Sequence, residues 1–115
     1  MAGIGFDHDK RSPYASLGGW NDPDMLVVGK LGWSRNIRNT RLSGNEQITH
    51  ISLWTLQAAP LIIGADLANI DQFTTDLLGN REVLAVNQDV LGQPAHRIFG
   101  DGRVDIWARK LSDGT

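Results

Sequence analysis

The chain of 115 residues contains no cysteine, which excludes a disulfide framework and any zinc site built on thiolates. Positive charge is not in excess: eleven Lys and Arg face thirteen Asp and Glu, a net charge of −2. That balance argues against nucleic acid or an anionic membrane surface as a partner. Long apolar runs are missing as well. Those around Met25–Val28 and Ala59–Ala65 are far too short to span a bilayer, and no basic-then-apolar leader opens the chain. No asparagine stands in an Asn-x-Ser/Thr context. The lack of cysteine does not fix the compartment, which stays open. His8, His50 and His96 are too scattered to share a short metal-ligand motif. Glycine-rich phosphate loops and nucleophile elbows are absent.

What remains, 41% hydrophobic and 21% charged residues, is the composition of a globular domain of ordinary size. Residues 1–19, rich in Gly, Ser and Pro, read as irregular, with Phe6–Tyr14 a solvated loop. Lys30, Arg35, Arg38 and Arg41 fall in another loop without the interleaved aromatics of a phosphate-binding surface. Ser43 followed by Glu46 is a capping box, and Ile48, Ile51, Trp54 or Thr55, and Ala58 continue at helical spacing until Pro60. "LIIGAD" has the apolar continuity of a strand buried on both faces of a parallel sheet. "QFTTDLLGN" predicts a short helix closed by a left-handed Gly79, and Asn80 caps the next, "REVLAVNQ". Asn87-Gln88-Asp89 then serves as a cap and turn leading to the strands. This is α/β rhythm. From about Pro94 it gives way to "HRIF" and "RVDIWARKL", two strands around the hairpin turn Gly100-Asp101-Gly102. Asp113-Gly114 promises a further turn with no strand after it, so the chain reads as a fragment.

The densest chemistry lies in Trp20-Asn21-Asp22-Pro23-Asp24-Met25. Two carboxylates beside an indole suit a glycosidase, where one acts as acid and the other as nucleophile or base. Spacing argues against both roles being filled here. Residues two apart on extended chain lie on one side, roughly 7 Å apart at about 3.3 Å per residue, whereas a glycosidic bond needs carboxylates on opposite sides. At most one Asp touches a reacting centre. An Asx-Pro turn explains the pair equally well.

"GGWNDPDMLVVGK", "EQITHISLWTLQAAPLIIGADL" and "EVLAVNQDVLG", in this order, resemble glycoside hydrolase family 27, the α-galactosidases, from about Ile4 to the end of the chain. The resemblance implies a (β/α)8 barrel of about 250 residues followed by an antiparallel β domain. Residues 1–92 would then be the C-terminal portion of the barrel, and 93–115 the first hairpin of the β domain. It also implies a retaining hydrolysis by two aspartates, in Lys-x-Asp and Arg-x-x-x-Asp patterns. Neither pattern stands before Gly18-Gly19-Trp20, so the catalytic pair is expected upstream and this chain alone is expected to be inactive. Carried over, Asp24 and Met25 line the galactose pocket, while Trp20, Asn21 and Asp22 support the turn. The implied partner is a carbohydrate, an α-galactoside, with no cofactor.

Apolar pattern makes Met25–Val28 the buried strand. The resemblance instead implies a strand around Trp20–Asp22, so that Asp24 and Met25 emerge at the C-terminal face, where barrel sites lie; that placement is the expectation here. Ala65, where many relatives have Cys, and Val90, where many have Pro, leave the preference open among α-galactoside, α-N-acetylgalactosaminide and β-L-arabinopyranoside. The alternative is a non-catalytic sugar-binding or interaction module made from the barrel remnant, with Trp20, Trp33 and Asp24 as a sugar platform.

Overall fold

The computed structural model describes residues 2–32 and 36–115. Helix α1 (Ala2–Asp7) runs into a 3-10 segment, His8–Tyr14. A two-residue ribbon, β1 (Lys30–Leu31) with β2 (Arg38–Asn39), precedes α2 (Gly44–Leu56). After a 3-10 turn at Leu67–Asn69 come α3 (Gln72–Leu78) and α4 (Arg81–Asn87). The antiparallel hairpin β3 (His96–Gly100) and β4 (Asp105–Ala108) ends the order.

Helix α2 organises the rest. Its N-terminus is the expected capping box: Ser43 Oγ accepts from Glu46 N–H and Glu46 Oε2 accepts from Ser43 N–H, satisfying two of the first-turn donors. The buried stripe is Gln47, His50, Ile51 and Trp54, the i, i+3, i+4, i+7 face of a helix. Ile48, expected on that face, is instead exposed. Polar Gln47 and His50 can be buried because backbone donors meet them: Gln47 Oε1 accepts from Gly29 N–H at 2.9 Å and His50 Nε2 from Val27 N–H at 3.1 Å. Gln57 caps the C-terminus. Ala59 N–H then reaches Trp54 O and Ala58 N–H reaches Thr55 O, a Schellman closure with Ala58, rather than glycine, at positive φ (51°). The helix therefore ends before Ala58, short of the expected stop at Pro60.

The parallel sheet expected from "LIIGAD" is reduced to one bridge, Leu26 with Ile63. Leu26 N–H donates to Ile62 O and Gly64 N–H to Leu26 O, the slanted pattern of parallel neighbours. Two expectations fail here. Neither Trp20–Asp22 nor Met25–Val28 is a strand; the pairing is the single bridge at Leu26, which falls inside the apolar run and not where the resemblance puts it. Nor is "LIIGAD" covered on both faces. Leu26 and Val28 are buried in the core with Ile51, Leu53, Trp54 and Ala59, with Leu61, Leu77, Leu78 and Val83 around them. Ile62, by contrast, remains 49% exposed, because no element among the described residues packs on its side.

Residues 2–14 overturn the reading of an irregular, solvated start. Gly5 lies against the Trp54 ring, where a Cβ would come within 3.0 Å, and its carbonyl accepts from Gln57 Nε2 at 2.7 Å. His8 and Ser12 are buried. This helical path depends on docking against α2, a contact with no local signature. The basic loop likewise forms the small ribbon β1–β2; Arg35 lies outside the described residues. Gly79 closes α3 with φ −92° rather than in the left-handed region, since Asn80 at once caps α4 by accepting from Glu82 and Val83 N–H. Helix–strand–helix–helix order otherwise stands. In the final hairpin Asp101 Oδ1 accepts from Arg103 and Val104 N–H and Gly102 takes φ 86°, as the turn predicts. Among the described residues no helix is long and apolar enough to cross a membrane.

Candidate functional site

The loop from Trp20 to Met25 is built by side chains acting on backbone. A tight turn, with Ser16 and Gly19 exchanging N–H···O bonds at 2.9 Å, delivers the chain to Trp20. Asn21 Nδ2 donates to Arg11 O at 2.6 Å, pinning the loop to the 3-10 segment. Asp22 Oδ1 accepts from Asp24 N–H at 2.9 Å across Pro23, an Asx turn. Asp24 stands at φ 81°, a region L-residues other than Asn and Asp rarely enter. Its carbonyl accepts from Trp54 Nε1 at 2.7 Å and its Oδ1 from Met25 N–H at 2.7 Å. Among the described residues no donor reaches Asp24 Oδ2.

The five residues singled out in the sequence share this loop but not one hollow. Asp22, Pro23 and Asp24 line a cleft of about 500 Å³ with Ile4, Asp7 and Arg11. Met25 faces a second, more apolar cleft of about 730 Å³ with Val27, Ile62 and Gly64. Gly64 is bare where Met25 crosses it: a Cβ there would lie 2.6 Å from Met25 Sδ. Trp20 covers Gly92, whose own Cβ would meet the indole at 2.7 Å, and borders a third hollow with Leu17, Asn87 and Asp89. A platform of Trp20 with Asp24 is therefore not assembled, and Trp33 lies outside the described residues.

Sequence reasoning missed the partners that hold this loop. His50 is 1% exposed and lies edge-on to Trp54, with ring centroids 4.1 Å apart and planes at 83°. Burial lowers its pKa from 6.5 to about 4, because a charged ring there would lose its hydration. It is a neutral acceptor, and the Val27 bond places the proton on Nδ1. The Asn87-Gln88-Asp89 corner acts as expected. Asp89 accepts from Ser112 N–H and Oγ, bonds that hold its carboxyl below the usual range. Asn87 Nδ2 donates to Ala59 O, and Arg109 donates to Thr55 O at 2.7 Å.

The sequence profile of the alpha galactosidase A (melibiase) family matches residues 4–89. Alpha-galactosidase 2 of Arabidopsis thaliana is 42% identical over 112 residues, covering 97% of this chain and 26% of its own length. In three dimensions, a Bacteroides fragilis protein classed as an alpha-galactosidase/melibiase superposes with a TM-score of 0.89 at 38% identity, over 98% of this chain and 25% of that one. A family 27 β-L-arabinopyranosidase of Geobacillus stearothermophilus gives 0.84 at 31% identity, over 95% and 26%. The chain thus spans about a quarter of the length of the relatives it matches.

Proposed function

The chain belongs to glycoside hydrolase family 27, the alpha-galactosidase (melibiase) family, and we propose that it is part of a retaining hydrolase of terminal α-D-galactosyl residues. In this reading the parallel pair Leu26–Ile63, with α2 behind it, belongs to the C-terminal portion of a (β/α)8 barrel within residues 1–92. Hairpin β3–β4, in 93–115, begins an antiparallel β domain. A helix on one side of the pair and a bare apolar side on the other is what adjacent barrel strands require. The nucleophile and the acid stand on segments outside this chain, and two carboxylates and water suffice for the reaction.

The observation that carries this reading at the level of the site is the fixed, left-handed backbone of Asp24 beside an open cleft. Asp22 and Asp24 each spend Oδ1 on one backbone N–H and border the same cleft, but of the two only Asp24 is held at positive φ, with its carbonyl bonded by Trp54 Nε1. Asp24 contacts the sugar and sits near the catalytic acid, whose pKa it raises by like-charge repulsion; Met25 forms apolar wall.

The test is hydrolysis of p-nitrophenyl α-D-galactopyranoside by the protein encoded by the complete reading frame. Turnover with α-galactose as the first-formed sugar is expected, and the 115-residue chain alone should be inert. A complete protein inactive on α-galactosides, yet active on α-N-acetylgalactosaminides or β-L-arabinopyranosides, would move the reading within the family; inactivity on all three would remove it. In Asp24→Asn the acid loses its negative neighbour, its pKa falls, and the basic limb of the pH–rate profile moves to lower pH. An unmoved profile at full activity contradicts the role given to Asp24.

A further inference from the structure

We infer that Trp54, buried on α2 and remote from solvent, is a positioning residue for the sugar-binding wall. It acts through the peptide that joins Asp24 to Met25. The inference rests on the reading of those two residues as pocket residues.

The geometry is specific. Asp24 keeps its left-handed backbone with both main-chain polar groups engaged by side chains: Asp22 Oδ1 takes its N–H and Trp54 Nε1–H its carbonyl, at 2.7 Å. Strained conformations of this kind persist where the surroundings over-determine them. Rotating the Asp24–Met25 peptide would turn the carbonyl away and strand an indole N–H in a side chain 1% exposed, which is costly for a buried donor. Two residues on, His50, packed edge-on against the same indole, takes the Val27 N–H. Between these points Leu26 is tied to Ile62 and Gly64. The backbone that sets the directions of Asp24 and Met25 is therefore held on both sides from one pair of rings. Nothing else among the described residues bonds the Asp24 carbonyl.

A core role and a positioning role differ in what they move. Loss of packing lowers the amount of folded enzyme and leaves the affinity of each folded molecule intact. Loss of positioning weakens sugar binding in molecules that are folded. The experiment uses the complete protein with Trp54→Phe, which keeps an aromatic ring against His50 but has no N–H donor. It also uses β-(3-benzothienyl)alanine at position 54, which matches the indole in shape and replaces only its N–H. Free galactose is the probe, as a competitive inhibitor of p-nitrophenyl α-D-galactopyranoside hydrolysis, with the folded fraction followed by near-ultraviolet circular dichroism. Both variants should raise the galactose Ki by about fivefold or more, the scale of one lost hydrogen bond, with the folded fraction of the benzothienyl form unchanged. A benzothienyl form that binds galactose as the unaltered protein does overturns the inference, even if Trp54→Phe fails to fold. Galactose binding by the unaltered protein tests the underlying reading separately: its absence sinks that reading, whereas equal binding by all forms sinks only the role of Trp54.

Discussion

His50 shows how a single buried side chain can couple the fold to acid. Its Nε2 is committed to Val27 N–H and its ring to Trp54, so the folded protein takes up a proton there only near pH 4, against the ordinary 6.5 of an unfolded chain. Between those values the unfolded state binds the proton and the folded state does not. The stability this site contributes is therefore complete above about pH 6.5 and is lost as pH falls toward 4. His8, its pKa lowered by burial and then by Arg11, acts in the same direction. The urea midpoint should fall through this window in the complete protein and fall less in His50→Gln, where an amide oxygen can still accept from Val27. A flat midpoint from pH 6.5 to 4.5 would contradict the neutral, buried assignment. No local pattern in the sequence marks His50 for this role, since its partner lies 23 residues earlier.

Among the elements, α2 carries the most. Ser43→Ala removes the acceptor of Glu46 N–H and should cost about 1 kcal/mol of stability, measured by urea unfolding of the complete protein. Ser43→Asp, which restores an acceptor, should recover most of it. Because Gln47 and His50 hold residues 27–29 from this helix, a frayed first turn also loosens the segment after Met25. The elements legible in the sequence are those with local causes: the capping box at Ser43, the Asn80 cap, the Asp101–Gly102 turn and the Asn87–Asp89 corner. Those misread have distant causes. Segment 2–14 is helical through Gly5 against Trp54, and the polar stripe of α2 is buried because backbone donors from another segment meet it. For the site, the loop and its Asx turn were legible. The indole bond to Asp24, and the separation of Trp20 from it, were not, because both depend on which segments fold against each other.

At the scale of the whole chain, the apolar surface is only partly covered. Ile62, Met25 and Ile37 border one open cleft, and Ile98, Phe99, Val104 and Ile106 leave the hairpin exposed. Contiguous apolar surface of this kind belongs against a partner. The isolated 115-residue chain should therefore bind a hydrophobic dye and aggregate, while the complete protein should not bind the dye; a monomeric, dye-silent isolated chain would count against the barrel reading. Yet what is folded here is closed end to end. Asp9 Oδ1 accepts from Arg97 N–H across 88 residues, Ser12 contacts His96 across 84, and Arg109 reaches Thr55 across 54. Such bonds have a consequence in time. Segment 2–14 leaves the ribosome long before the strand that fastens it. At roughly 5–20 residues per second, synthesis of the intervening stretch takes on the order of ten seconds. During that interval Asp9 and Ser12 wait without their partners, and this segment is open to misassembly or proteolysis until the hairpin fastens it.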